Sequence, residues 1–327
     1  MSDTFLTLLD ITKMNGTDQA VGVIEEVRTY APEANVLGGR PIRGTTYKGL
    51  VRTALPANPT FRAANTGTSV VASRWDQRLN QTFFLDGQMR VDEMVLDGSE
   101  FGAEWVLANE ATGVVKQKLI ALGYQVYYGN PSKTDFGFPG LVNLYDPATM
   151  EVYANATGSL GATTSSAWLV VNQPDCVEFI YGNNTGLQLK QWIPQYVPTA
   201  NAQYRAWFNN LSGYVGLSFN YTKGACRIKN LTAYGTASNT GLTDALVAQA
   251  LALFPVGVVP THLFCNRAQR LNLQLSRSPV YASGASAITS NLPLQLAPTP
   301  TESCGIPLYV TDSITSTETA SASGSAS

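Results

Sequence analysis

With 327 residues and 44% hydrophobic content the chain can bury a sizeable core in one large domain or two ordinary ones, which excludes an intrinsically disordered polypeptide. Charged residues make up only 13%, about half the usual share, so Asn, Thr, Ser, Gly and Tyr carry the polar load and the surface suits large protein contacts. A formal net charge of −2, from 21 basic and 23 acidic residues, argues against a dedicated nucleic-acid binder, whose affinity would come from neutralised phosphates.

The N-terminus, Met1-Ser2-Asp3-Thr4-Phe5, has no basic n-region and no long apolar run, so neither a signal peptide nor a membrane span is expected, and synthesis in a cytoplasm is. Seven Asn-x-Ser/Thr matches, Asn80-Gln81-Thr82 among them, then reflect the abundance of Asn and Thr rather than glycosylation. Residues 1–37 carry six acidic and two basic residues, with short apolar runs at Phe5 to Leu9 and Val21 to Val27, and are expected to form an extended arm with one or two short helices.

From Gly38 to Arg90 the balance reverses: Arg40, Arg43, Lys48, Arg52, Arg62, Arg74, Arg78 and Arg90 face only Asp76 and Asp86. The segment is rich in Gly, Pro and Thr and alternates apolar with polar residues near Gln81 to Val91, the pattern of a long two-stranded excursion. Two readings stay open at this point: a solvated hairpin, or a basic arm lying across an acidic neighbouring subunit, where opposite charge sets register and orientation.

The strongest helix signal runs from Asp97 to Leu122, where Phe101, Trp105, Ala108, Thr112, Val115, Leu119 and Leu122 recur at alternating spacings of four and three. Asp97 with Glu100 forms a capping pair, Lys116 and Lys118 complement the C-terminal dipole, and Gly123 is expected to stop the helix. Its length is roughly 40 Å at about 1.5 Å per residue. Strands are expected at Ala167 to Val171, Cys176 to Tyr181 and Leu187 to Ile193, followed by a hairpin pairing Gly213 to Tyr221 with Ala225 to Leu231 across Lys223-Gly224. Two helices follow, at Thr243 to Phe254 and at Asn266 to Arg277, the second opened by an Asn266/Gln269 capping box and closed by Pro279. A loop from Val280 to Ser303 leads to a last strand, Gly305 to Val310, and Thr315 to Ser327 is almost entirely Thr, Ser and Ala, which predicts disorder unless a neighbour captures it.

Catalytic chemistry is hard to assemble from these residues. His262 is the sole histidine and lies in an apolar run, which favours a packed or interface role; there is no P-loop, no G-x-G-x-x-G opening a helix, no H-E-x-x-H and no EF-hand pattern. Cys176, Cys226, Cys265 and Cys304 lack C-x-x-C spacing and fit reduced, mostly buried thiols. Pairs such as Glu25-Glu26 and Asp92-Glu93 fit solvated faces. No catalytic residue, cofactor or metal is therefore assigned.

The order of the pieces resembles the major capsid proteins of tailed bacteriophages with the Hong Kong 97-type fold. Leu55-Pro56, Phe61-Arg62 and Asn65-Thr66-Gly67 resemble that family's E-loop pattern, and Leu85 to Asp92 its return strand into the spine helix. Tyr127 to Asn130, Phe138 to Leu141, Gly216-Leu217, Arg227 to Leu231, Cys265-Asn266-Arg267, Gly305 to Leu308 and Thr311-Asp312 are similar to later landmarks, so the resemblance spans roughly Thr4 to Ile314.

It implies an α+β fold with an N-arm (1–37), an E-loop (38–96), a P-domain (97–235) holding a spine helix (97–122) and a β-sheet, an A-domain with the final strand (236–314) and a flexible tail (315–327). It further implies self-assembly into hexamers and pentamers of an icosahedral shell around phage double-stranded DNA. Arg40, Arg43, Lys48, Arg52, Arg62, Arg74 and Arg78 would contact neighbouring subunits, and Phe101, Trp105, Val115, Leu119 and Leu122 would pack the spine. Scaffolding, portal and decoration proteins are the expected partners, with weak non-specific DNA contact and no membrane; the place is the virion, after synthesis in the bacterial host cytoplasm. No scaffolding segment precedes the N-arm in this sequence, so a separate scaffolding protein is expected. Lys48 is the sole lysine between Gly38 and Asp97 and no partner is identifiable for it, so covalent cross-linking is not expected. The nearest rival is an encapsulin-type compartment packaging protein cargo, then a β-rich carbohydrate-binding or phage-decoration protein, then an enzyme.

Overall fold

A computed structural model describes residues 5–15, 23, 25, 29–58, 61–68, 70–131, 136–155, 163–174, 176–199, 202–233, 240–277 and 297–320. In chain order the elements are α1 (Leu8–Met14), α2 (Glu33–Val36), β1 (Gly39–Pro41), β2 (Thr46–Ala54), β3 (Arg74–Gln81), β4 (Phe83–Asp92), α3 (Glu93–Asp97), α4 (Ala103–Tyr128), α5 (Leu141–Leu144), β5 (Glu151–Tyr153), β6 (Thr164–Val170) and β7 (Val177–Tyr181). They continue with β8 (Gln188–Leu189), β9 (Ile193–Pro198), β10 (Gln203–Phe219), β11 (Ala225–Thr232), α6 (Asp244–Ala252), β12 (His262–Cys265), α7 (Arg267–Arg277), β13 (Glu302–Ser303) and β14 (Ile306–Val310).

Two six-stranded sheets and one two-stranded ribbon result. The first sheet runs β1-β7-β10-β4, with β8 and β9 also paired to β10; the second runs β13-β14-β12-β6-β11-β5; β2 and β3 pair only with each other. Every residue of β6 and β11 is buried, as expected of central strands covered on both faces. The main core joins Leu122, Val126 and Tyr127 of α4 to Trp168, Phe179, Leu217, Ile228 and Phe264 from the sheets.

The predicted hairpin across Lys223-Gly224 does not form. Gly224 does close a turn on Tyr221 (2.9 Å). Its flanking strands then part: β10 pairs with β4 and β7 in the first sheet, and β11 with β6 and β5 in the second. A tight turn sets a local reversal of direction, but burial on two faces recruited each strand into a different sheet. Likewise the single strand expected at Leu187 to Ile193 is split into β8 and the start of β9, both on the edge of β10.

The long helix is present but shifted toward the C-terminus, over Ala103–Tyr128, a rod of about 39 Å at ~1.5 Å per residue. Asp97 is not its cap. Asp92 caps the short α3 instead, accepting from the Met94 amide at 3.0 Å, and α4 starts only after Gly102, whose φ of 86° suits a residue without Cβ. Gly123 does not end the helix either. A Cβ there would lie 2.4 Å from Ser313 Oγ and 2.7 Å from Glu33 Oε2, so this glycine serves close packing inside the helix rather than termination.

The buried face is also wider than one stripe. Val106, Leu107, Ala111, Leu122, Gly123, Val126 and Tyr127 are buried, Phe101, Trp105, Val115 and Leu119 are half-buried, and Ala108 and Thr112 are exposed. The N-terminal half of α4 packs on α1, α3 and β4, whereas the C-terminal half enters the main core, so the two ends present different sides.

The end of the chain departs most from expectation. Rather than leaving the fold at Thr315, it binds across the second sheet: Glu318 exchanges backbone hydrogen bonds with Thr164 (2.9 and 3.2 Å), and the Thr315 amide donates to the Tyr128 hydroxyl at 3.2 Å. The Glu318 carboxylate accepts from Ser166 Oγ (2.8 Å) and from the Tyr128 hydroxyl, and pairs with the buried Arg227 at 3.1 Å. A second buried pair, at 3.2 Å, joins Lys229 of β11 to Glu151 of the adjacent β5. Residues 321–327 of the predicted tail, Pro279 and most of the predicted 280–303 loop lie outside the described residues.

Of the two later helices, α6 is capped by the Thr243 side chain and α7 by Asn266 Oδ1, which accepts from the Gln269 amide at 3.0 Å. The expected reciprocal box is absent because the Gln269 side chain turns to the Leu242 amide (3.0 Å) and the Thr232 carbonyl (3.1 Å). Arg277 at the end of α7 clamps Asp244 through two bonds of 2.7 and 2.6 Å, and this pairing holds the Asp244 carboxyl below its ordinary value. Three of the cysteines are buried, as read from sequence, but Cys304 is exposed.

Glu33 of α2 is fully buried beside Gly123, its carboxyl accepting from the Thr311 and Ser313 hydroxyls, and desolvation raises its pKa above the usual 4.5. The folded protein therefore holds this proton to higher pH than the unfolded chain. Its stabilising contribution is complete below the unfolded pKa and is lost as pH rises through the folded one. Glu33→Gln keeps an acceptor for Thr311 and cannot ionise. Thermal unfolding of this variant is expected to depend less on pH above 4.5, with a Tm at pH 7.5 no lower than that of the parent. A lower Tm with the pH dependence intact would show that the ionised carboxylate is the stabilising form.

Candidate assembly interface

The β2–β3 ribbon is hydrogen-bonded to neither of the two larger sheets as a strand. Its base is fixed on one side: the Arg78 guanidinium donates to the Asn220 carbonyl (2.7 Å), Asn80 Nδ2 donates to Asn220 Oδ1 (2.7 Å), and Thr82 donates to the Thr45 carbonyl. Pairing aligns Lys48 with Leu79, Leu50 with Gln77 and Arg52 with Trp75, so these six side chains share one face. Arg74, Asp76, Arg78 and Asn80 alternate onto the other. On the first face Leu50 is 71%, Leu79 59% and Trp75 53% exposed, between two cations and no carboxylate.

The basic residues singled out from sequence thus divide. Lys48 and Arg52 stand on the apolar face, Arg52 stacked 4.5 Å from the Trp75 ring. Arg74 is exposed on the opposite face, and Arg78 is committed to Asn220. Arg40 pairs with Glu178 at 2.6 Å and lies 4.5 Å from the Tyr47 ring. Arg43 is exposed in the bend before β2, and Arg62 donates to the Thr66 carbonyl at 2.7 Å near the tip. Leu50, Trp75 and Leu79 were missed by sequence reasoning, although the alternation Lys48-Gly49-Leu50-Val51-Arg52 carried the signal. Charge drew the reading to the arginines and away from their apolar neighbours.

Phe101, just before α4, is in ring contact with Trp105 of α4 at 5.0 Å, and Trp105 packs with Ile11, Val91 and Leu96 in a satellite cluster. Val115 packs against Met89, Ala111 and Leu211, Leu119 is half-buried, and Leu122 enters the main core. Phe5 reaches this region too, its ring 4.0 Å from the Arg90 guanidinium. His262 lies on β12 between aromatic rings, Phe264 at 5.9 Å and Tyr309 at 5.2 Å, and burial lowers its pKa. Among the described residues no group of three or more His, Cys, Asp or Glu is placed to hold a metal ion, and no helix is long and apolar enough to cross a membrane.

A model of the family described as major capsid protein GP7 matches residues 39–322, from the first strand to beyond the C-terminal segment on β6. The chain belongs to this family of major capsid proteins. A chain from the structure of bacteriophage epsilon15 is similar, with a TM-score of 0.69 at 18% identity over 98% of this chain and 98% of that one, and so shares the fold. Weaker likenesses are to the capsid of myovirus phage XM1 (TM-score 0.47, 10% identity, 71% of this chain and 100% of that one) and to Mycobacterium phage Cain (0.45, 10%, 66% and 93%). No curated protein matches the chain.

The α+β, Hong Kong 97-like architecture expected from the order of motifs is therefore the architecture found. This capsid protein forms shells, and the encapsulin alternative is not favoured by the family match. As a component of a tailed-phage virion it is a self-assembling structural subunit.

Proposed function

We propose that the protein assembles into hexamers and pentamers of an icosahedral shell around phage double-stranded DNA, with the β2–β3 ribbon overlapping a neighbouring subunit. The observation that carries this reading is the ribbon's face of Leu50, Trp75 and Leu79 between Lys48 and Arg52, which no other described element of the chain covers. In this reading 1–37 is an N-arm, 38–96 an E-loop, 97–235 a P-domain organised by α4, and 236–314 an A-domain. The segment 315–320 is a strap on the P-domain sheet. Scaffolding, portal and decoration proteins are its partners, and synthesis takes place in the host cytoplasm. The subunit itself serves as wall, with no catalytic duty.

A subunit of net charge −2 grips phosphates weakly, so DNA is confined by the wall's strength. Buried apolar contacts and overlapping arms supply that strength, because exposed ion pairs contribute only about 0–1 kcal/mol each. Assembled particles, filled and empty, are expected to stay intact across a salt series followed by light scattering, and electron micrographs should show closed shells. Release of free subunits at moderate salt would show that charge holds the wall, and open aggregates without closed particles would count against the shell geometry.

A further inference from the structure

The C-terminal end of α4 borders a cavity that no side chain fills. Its volume is about 220 Å³, and its walls are Phe83 and Leu85 of β4, Val215 of β10, Leu122 of α4, and Phe136 and Phe138. A concave, mostly apolar surface with one placed polar group is the usual form of a small-molecule site. The wall formed by 136–138 is fixed against the helix. Gln125 Nε2 donates to the Phe138 carbonyl at 2.7 Å, and a Cβ on Gly137 would lie 2.3 Å from the same nitrogen, so only glycine permits this approach. The Phe136 ring does not close the cavity. Its backbone stands at φ 48°, in the left-handed region, and the residue is 84% exposed. An empty apolar cavity and an uncovered apolar ring thus stand side by side.

We infer that this cavity binds a small neutral aromatic molecule, a single ring or two fused rings carrying one hydrogen-bond donor. Size sets the first limit. An apolar cavity of about 150 Å³ holds benzene, so the larger volume here admits a ring with a few further atoms and excludes drug-sized ligands. Charge sets the second: no ionisable side chain lines the cavity, and a charged ligand would give up its water without meeting a counter-ion. The donor follows from Gln125, which supplies the polar side chain of the wall; with Nε2 committed to Phe138, its Oε1 is the acceptor that remains. Phe83, Phe136 and Phe138 offer ring faces and edges to a bound ring. The occupant would join β4, α4 and the 136–138 wall, and so stabilise the subunit by mass action. This site is independent of the shell-assembly reading.

The test titrates the purified full-length subunit with indole, followed by ligand-observed NMR and by thermal unfolding. Saturable binding is expected, with a Kd of about 0.1–1 mM for so small a ligand, and a Tm raised by about 2 °C at tenfold excess over Kd. Indene, which has the same shape without the N–H, should bind about fivefold more weakly. Benzoate, a ring with a charge, should not compete. Ala121 lies on the exposed side of α4 at the cavity, so Ala121→Phe is expected to fill it and abolish indole binding without changing the Tm of the free protein. Should that variant fold poorly, Phe136→Ala at its exposed position removes one wall and should weaken binding severalfold. No saturable binding of indole, or binding undiminished in both variants, would overturn the site. Benzoate binding as tightly as indole would overturn the neutral ligand class, and equal affinity for indene would overturn Gln125 as the acceptor.

Discussion

Replacing Glu318 by Ala is expected to destabilise the folded subunit by about 3–5 kcal/mol, the usual cost of leaving a buried charge without its partner. Arg227 is 6% exposed and Glu318 9%. Burial pulls the Arg227 pKa down, and the Glu318 carboxylate together with Tyr145 and Tyr128 more than offsets this, so the guanidinium stays charged inside the sheet. Ser166 and Tyr128 also donate to Glu318, so the substitution strands three donors in one place. The backbone bridge to Thr164 remains available to alanine but is left as the strap's main tie to β6. Urea unfolding of Glu318→Ala against the parent measures the effect. Glu318→Gln should lose less, because it still accepts a hydrogen bond. A loss below about 1 kcal/mol for the alanine variant would mean that Arg227 finds water and that the strap is not held by this pair.

The second large effect is expected at Trp168. It is fully buried at the centre of the second sheet, 5.3 Å from the Tyr145 ring and 6.2 Å from the Tyr127 ring, with the Arg227 guanidinium 5.2 Å from its own. Trp168→Ala removes the transfer energy of the indole and leaves a cavity, together costing about 3–5 kcal/mol. That is a large part of the roughly 5–15 kcal/mol that holds a typical domain, so insoluble protein is the expected outcome at 37 °C. Trp168→Phe separates volume from polarity. Among the described residues the indole Nε1 has no hydrogen-bond partner, so phenylalanine forfeits no bond and should fold with a modest drop in Tm. Soluble, normally stable Trp168→Ala protein would show that this sheet is not the stability core.

Much of the architecture was legible because it is written in local signals. α6 with its Thr243 cap, α7 with its Asn266 cap, and β14 each stand within a few residues of where periodicity and capping residues placed them, and the long helix is present as its apolar spacing implied, although its ends lie elsewhere than the capping residues suggested. The excess of positive charge between Gly38 and Arg90 marked the ribbon, and the order of short motifs pointed to the capsid family that the chain matches.

The errors share one physical cause. Gly123 reads as a helix stop because glycine is a poor helix former, yet here the missing Cβ admits Glu33 and Ser313 from distant parts of the chain. Lys223-Gly224 reads as a hairpin turn, but burial assigned its two flanking strands to different sheets. The Ser/Thr/Ala-rich C-terminus reads as disordered because its composition supports no core of its own, and no local pattern shows that Arg227, some ninety positions earlier, requires the carboxylate of Glu318. Composition, periodicity and caps are properties of neighbours along the chain, and these the sequence by itself determined: the kinds of element, their order and the family. Which strands pair, which glycine is an aperture, which arginines are held inside and which side chains of the ribbon face outward depend on contacts between distant residues, and only the tertiary structure decided them.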